Sequence, residues 1–279
     1  MIATGIAVLI AGLVLVRPRF AAASGTARIL LLGPVFEAVA LAIFAAEHFL
    51  AARDLAPIVP RWLPGPLFWT YFVGAALLAA AISFIAWRYV RWSAFLLALL
   101  FLIIVATVDL PNLPRHIHQP FWTERLFWTL TVRETAFAGG AMVLAGSLWP
   151  RARHSGARVT ASATLMMLGR LSVACIFVFY AVEHFLYPLF VPGVPLEKMT
   201  PVWIPAPTLI SYFVGATLLA AGIGLVIPRT RATAAAGAGI VLVLLTIFFY
   251  IPILITEARS PLEIEGVNYA GDTLLFAAT

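Results

Sequence analysis

The feature that most constrains this chain is a succession of nine apolar runs, at residues 1–16, 28–50, 67–87, 92–110, 126–149, 162–187, 208–227, 232–255 and 268–279. Most are close to the ~20 residues an α-helix needs to cross a hydrocarbon layer. A membrane barrel would instead alternate apolar and polar residues along short strands. Hydrophobic types make up 63% of the 279 residues and charged types 11%. A water-soluble domain carries roughly 25% charge. The sequence therefore predicts an all-α, polytopic membrane protein of about nine transmembrane helices. The final run is short and stops at Thr279. It reads either as a half-span or as a helix that the chain end truncates.

The charges between the runs fall into two sets. Arg17, Arg19 and Arg28, then Arg88 and Arg91, then Arg151, Arg153 and Arg158, then Arg229 and Arg231 form connections without an acid. The alternate connections mix signs: Arg53 with Asp54, Glu124 with Arg125, Glu197 with Lys198, Glu257 with Arg259, Glu263 and Glu265. The positive-inside rule makes the first set cytoplasmic. With nine crossings this puts the N-terminus outside, in what reads as a bacterial cytoplasmic (inner) membrane. The arginines Arg17 and Arg19 follow the first run rather than precede it, the wrong polarity for a signal peptide, so that run reads as a retained helix. Trp62, Trp69, Trp122, Trp128 and Trp203 fall at expected outer boundaries, and Trp87, Trp92 and Trp149 at inner ones, where an apolar ring with one N–H sits best.

The net charge of +6 does not point to nucleic acid, because the basic residues mark run ends and form no aromatic-interleaved soluble patch. The single cysteine, Cys175, excludes an internal disulfide or a cysteine-based metal centre. No P-loop, GxSxG or HExxH motif is present.

Polar words recur in order along the chain. Glu47-His48-Phe49-Leu50 returns as Glu183-His184-Phe185-Leu186. Pro60-Arg61-Trp62-Leu63-Pro64-Gly65-Pro66 returns as Pro201-Val202-Trp203-Ile204-Pro205-Ala206-Pro207, and the run from Tyr71 to Ile82 matches that from Tyr212 to Ile223 at ten of twelve positions. Pro111 pairs with Pro252, Pro120 with Pro261, and Phe137-Ala138-Gly139 with Tyr269-Ala270-Gly271. Apolar bias alone does not generate Glu-His or Trp-x-Pro-x-Pro in register. The expectation is a tandem duplication: an extra N-terminal helix (1–26), then four-helix units at 27–150 and 151–279. Because the copies lie four helices apart they run in the same direction, related by a pseudo-two-fold axis along the membrane normal.

These repeated words resemble the DoxX/DoxX-like family of small four-helix membrane proteins: the acid-His end of the first unit helix, the Pro/Trp-rich outer connection, the Gly-containing YFVGA helix, and the Arg133-Glu134 pair before Phe137-Ala138-Gly139-Gly140. The resemblance covers about 250 residues as a tandem pair. The second unit departs from it, with Glu265-Gly266 where the Arg-Glu pair would stand. What the resemblance implies is a redox-associated membrane subunit, working with other membrane or redox subunits or with further copies of the same chain.

Ionisable residues inside membrane spans are costly and therefore mark candidate sites. Glu37 lies roughly 12 Å into the second run at 1.5 Å per residue. It stands eleven residues before His48, on the same face, and its counterpart in the second copy is Val173. It reads as a proton-relay acid, or as a neutral acid bonded to a neighbouring helix. Glu47, His48, Arg133 and Glu134 form the leading candidate cluster, with Glu183 and His184 in the second copy. Tyr71 and Tyr212 stand near enough along the chain to reach the Glu-His pairs, or else serve as interfacial anchors. The histidine can carry a proton or bond a quinone carbonyl; the alternative is a polar cluster that pins helix ends. Haem held by His48 and His184 is disfavoured, since the axis between the units need not bring them together. His116-Ile117-His118 lacks further metal ligands nearby, so no metal site is expected.

The resulting expectation is a DoxX-like subunit that binds a quinone or similar lipid-soluble molecule near the outer membrane face. The alternatives are a non-catalytic scaffold in a larger membrane complex, or a small-molecule transporter.

Overall fold

The computed structural model describes residues 1–120, 123–149, 156–258, 260 and 262–279. The expectations attached to Trp122, Arg151, Arg153, Arg259 and Pro261 lie outside the described residues. The main helices are α1 (Ile2–Ala22), α2 (Gly33–Leu50), α3 (Pro66–Ala86), α4 (Val90–Ile104), α5 (Arg125–Ser147), α6 (Gly156–Leu186), α7 (Pro207–Val226), α8 (Arg231–Leu245) and α9 (Glu263–Ala278). A short helix, Gly25–Leu30, leads into α2. Among the described residues there is no strand, only an isolated antiparallel bridge between Phe190 and Met199.

Seven helical stretches are long and apolar enough to cross a membrane: Ile2–Ala22, Gly25–Leu50, Pro66–Ala86, Val90–His116, Ala161–Leu186, Pro207–Val226 and Arg231–Glu257. The chain is thus an all-α, multi-pass membrane protein. The two main helices that fall short are α5, which carries Arg125, Arg133 and Glu134, and α9, which carries Glu263, Glu265 and Asp272 over sixteen residues. Packing explains how such polarity is accommodated. No residue of α5 from Arg125 to Gly146 is exposed, nor any residue of α9 from Gly266 to Ala278. The apolar helices, by contrast, turn large side chains outward, among them Leu13 and Val14 of α1, Leu96 and Ile103 of α4, and Phe248 after α8. Charge that would be expensive against lipid is shielded by protein.

Neighbouring helices pack in chain order from α2 to α9, and α9 returns to α2, while α1 lies outside against α2 and α3. The closest approaches use glycine. A Cβ on Gly139 of α5 would stand 2.8 Å from the Gly169 carbonyl oxygen on α6. A Cβ on Gly74 of α3 would meet the His48 Cβ at 2.8 Å, and one on Gly215 of α7 the His184 Cβ at 2.9 Å. Phe276 of α9 meets Phe177 and Tyr180 of α6 edge-on, with centroids 5.0 and 5.2 Å apart.

α4 and α8 each continue through a π turn, Val105–Asp109 and Thr246–Tyr250, before a short terminal helix. The cause is local. Pro111 and Pro252 follow these turns and supply no N–H to the carbonyl four residues back, and their rings crowd it, so the backbone widens there. Helix starts also agree: α3 and α7 both open with proline behind a left-handed residue, Gly65 at φ 69° and Ala206 at φ 47°.

Candidate functional site

The polar groups of α5 and α9 meet in the middle of the molecule. Arg125, Thr129 and Arg133 are spaced by four and share one face of α5; Asn268 and Asp272 do the same on α9. Arg133 donates from Nη1 to Asp272 Oδ2 at 2.5 Å and from Nη2 to Glu134 Oε1 at 2.7 Å. Asn268 Nδ2 donates to Glu47 Oε1 on α2 at 3.1 Å, and Glu47 itself is buried. Glu47 and Arg133 lie within electrostatic range of one another. Asp109, at the end of the π turn after α4, lies within electrostatic range of Glu134 and Arg133. Two carboxyl groups, Glu134 and Asp272, thus bond one guanidinium, and those of Glu47 and Asp109 lie within its electrostatic range. Asp109 Oδ2, Glu134 Oε2 and Asn268 Oδ1 are buried without a hydrogen-bond partner among the described residues. Buried polar atoms without partners are rare and call for a physical account.

A second group sits beside it. Thr129 Oγ1 donates to Glu183 Oε1 at 2.8 Å, and Arg125 Nη1 stands 3.7 Å from the same oxygen. Tyr180 OH, fully buried, donates to the Thr129 carbonyl at 2.9 Å. Arg125 also caps a strap formed by residues 191–196: it donates to the Pro195 carbonyl, and from Nη2 to the Leu196 carbonyl at 2.5 Å. Its guanidinium lies over Phe190, 4.2 Å from the ring centre. The two glutamates of the Glu-His words are thus each bonded from a helix distant in the chain, Glu47 from α9 and Glu183 from α5.

Both histidines turn away from these clusters. His48 Nδ1 donates to the Phe44 carbonyl at 2.8 Å, and His184 Nδ1 to the Tyr180 carbonyl at 2.5 Å, each one helical turn back. The roles follow from the partner, since a carbonyl oxygen only accepts. His184 Nε2 accepts from the Gly193 N–H at 2.9 Å. That nitrogen is spent on the strap, which leaves no ligand for a haem iron on His184. The structure thus brings Glu47, Arg133 and Glu134 into one cluster, with Asp272 and Asp109 as members, and sets His48 apart on the α3 side of α2.

The remaining sequence candidates are placed as follows. Glu37 is buried on α2 and makes no hydrogen bond or ion pair among the described residues. Tyr71 and Tyr212 are exposed and lie against Phe49 and Phe185, with centroids 6.1 and 6.0 Å apart; neither hydroxyl is bonded to a Glu-His pair. His116 bonds Glu124 and stacks on Phe127 at 4.0 Å. Among the described residues no three His, Cys, Asp or Glu side chains are grouped to hold a metal. Sequence reasoning missed Asp109, Arg125, Asn268 and Asp272. Asp109 and Asp272 are acids inside apolar runs, the same signal that singled out Glu37, and the spacing by four on α5 was open to view.

Comparison with known proteins adds one match. A family model described as a domain of unknown function (DUF8561) matches residues 37–133, less than half of the chain. No curated protein and no solved structure matches.

Proposed function

We propose that this chain is a DoxX-like membrane subunit of a redox system, one that binds a quinone or similar lipid-soluble molecule near the outer face and exchanges protons through the cluster around Arg133. The observation that carries the reading is the imbalance of that cluster: two carboxyl groups bonded to one guanidinium and two more within its electrostatic range, with buried oxygens of Asp109 and Glu134 left unpaired among the described residues. A site with more proton positions than its cation balances, enclosed by spans, is suited to passing protons to or from a bound partner.

The architecture in this reading is nine crossings and a tandem duplication. Several matched features support it: the two π turns, the two histidines bonded one turn back, the two glycines seated on those histidines, and the left-handed residues before α3 and α7. The reading puts the N-terminus outside a bacterial inner membrane. It is supported by two contacts among the described basic ends of the spans: Arg19 lies 4.7 Å from the Trp87 ring and Arg91 5.1 Å from that of Trp149.

The direct test is binding by the purified full chain in lipid nanodiscs, titrated with decyl-ubiquinone and decyl-ubiquinol. Saturable binding that Glu134→Gln weakens supports the reading; no saturable binding of either probe sinks it. A second reading, a non-catalytic scaffold, is favoured by how fully Arg125 and Arg133 are bonded to protein groups. It expects His48→Ala to leave a partner's activity intact.

A further inference from the structure

In the second copy one peptide group is held from both ends. The Pro192 carbonyl accepts a hydrogen bond from Tyr250 OH, and the N–H of the same peptide, on Gly193, donates to His184 Nε2. The strap that carries this peptide, residues 191–196, is buried throughout. Gly193 has φ 108°, and a Cβ there would press on Thr273 and on Leu245 at 3.2 Å, so only glycine seats the peptide this deeply. The strap belongs to the connection from α6 to α7 (187–206), which is longer than the connection from α2 to α3 (51–65).

The first copy has the jaws of this clamp without the strap. His48 presents Nε2 as His184 does, its Nδ1 engaged on its own helix, and Nε2 has no partner among the described residues. The π turn of α4 puts Asp109 where α8 has Tyr250, and Asp109 Oδ2 is buried and unpartnered. Beside that turn lies a cavity of about 550 Å³ between Thr107, Val108 and Pro111 on one side and Ile58, Arg61 and Trp62 on the other. The short outer connection does not fill it. Arg53, Asp54 and Ile58 are exposed on its outside.

We infer that the first copy binds its ligand where the second copy seats its own strap, and that the ligand presents a hydrogen-bond donor to His48 Nε2. The peptide N–H of Gly193 is the internal model for that donor. The inference rests on the quinone reading above and sharpens it. A neutral imidazole with its proton on Nδ1 offers a lone pair at Nε2, which a quinone carbonyl would meet lone pair to lone pair. A hydroquinone hydroxyl meets it as a donor. The site thus selects the reduced, hydroxyl-bearing form.

The experiment compares three probes on the unmodified chain in nanodiscs, without oxygen: decyl-ubiquinol, decyl-ubiquinone, and the quinol with both hydroxyls methylated. The expected result is binding of the quinol roughly tenfold tighter than either other probe, the difference one hydrogen bond makes. His48→Ala is then expected to remove that preference. Equal affinity for quinol and quinone, or a preference that survives His48→Ala, overturns the inference while leaving the quinone reading standing. Failure of all three probes to bind overturns both. Should a variant fail to fold, the three-probe comparison on the unmodified chain decides alone.

Discussion

Arg133 and Asp272 stand 139 positions apart in the chain and share a hydrogen bond of 2.5 Å between α5 and α9, with Asp272 almost wholly buried. This pair closes the centre of the molecule. Removing one partner of a buried ion pair strands the other, at a cost of about 3–5 kcal/mol. Arg133→Ala is expected to lose stability on that scale, because Glu134, Asp272, Glu47 and Asp109 lose their shared cation. Adding Asp272→Asn to Arg133→Ala should return part of the loss. Unfolding in detergent, followed by helical signal, measures both; additive losses would show that the pair is not coupled.

Glu183 separates the role of a carboxylate from that of an oxygen. Its Oε1 accepts from Thr129 and lies 3.7 Å from Arg125. Glutamine keeps an acceptor for Thr129, whereas alanine removes it, leaving the Thr129 hydroxyl only the Arg125 carbonyl at 2.9 Å and the Arg125 guanidinium only the strap carbonyls. Glu183→Ala is expected to cost about 2–4 kcal/mol more than Glu183→Gln. Equal losses in a thermal melt would mean that the ion pair, not the hydrogen bond, carries the contact.

Much of the fold is legible in the sequence because crossing a membrane demands a long apolar run, and seven such stretches appear as helices where the runs predict them. α5 and α9 are less legible by hydropathy, since their surroundings are protein rather than lipid. The candidate site is legible only in part. Glu47, Arg133 and Glu134 were visible as ionisable residues at run ends or inside runs, but that Asp272 completes them depends on α9 packing back against α2, a long-range contact that no local pattern encodes. The strap was visible only as a longer separation of Glu183 from Pro201 than of Glu47 from Pro60. A loop insertion reads the same whether it lies on the surface or folds inward.

The close glycine contacts offer a contrast. A Cβ on Gly139 would collide with the α6 backbone, whereas one on Gly237 of α8 meets nothing within 4 Å. Gly139→Ala is expected to destabilise by about 1–3 kcal/mol through overpacking. Gly237→Ala is expected to be neutral or to stabilise by up to ~1 kcal/mol through helix propensity. Melting temperatures that move together would contradict the packing described here.

Orientation is testable with the native cysteine replaced. In a Cys175→Ser background, Asp54→Cys and Tyr89→Cys place single thiols in exposed connections on opposite sides of α3. A membrane-impermeant maleimide added to intact cells is expected to label the first and to reach the second only after permeabilisation. The reverse pattern would invert the proposed topology.

The seclusion of α5 also has a consequence for biogenesis. In the proposed nine-crossing topology, Arg125 and Arg133 would enter the bilayer before Glu183 and Asp272 have been synthesised, 58 and 139 residues later. A ribosome-bound intermediate ending before α9 would lack the Asp272 partner of Arg133. Late insertion of α5 from the translocon, or guarding by an insertase, would suit such a schedule.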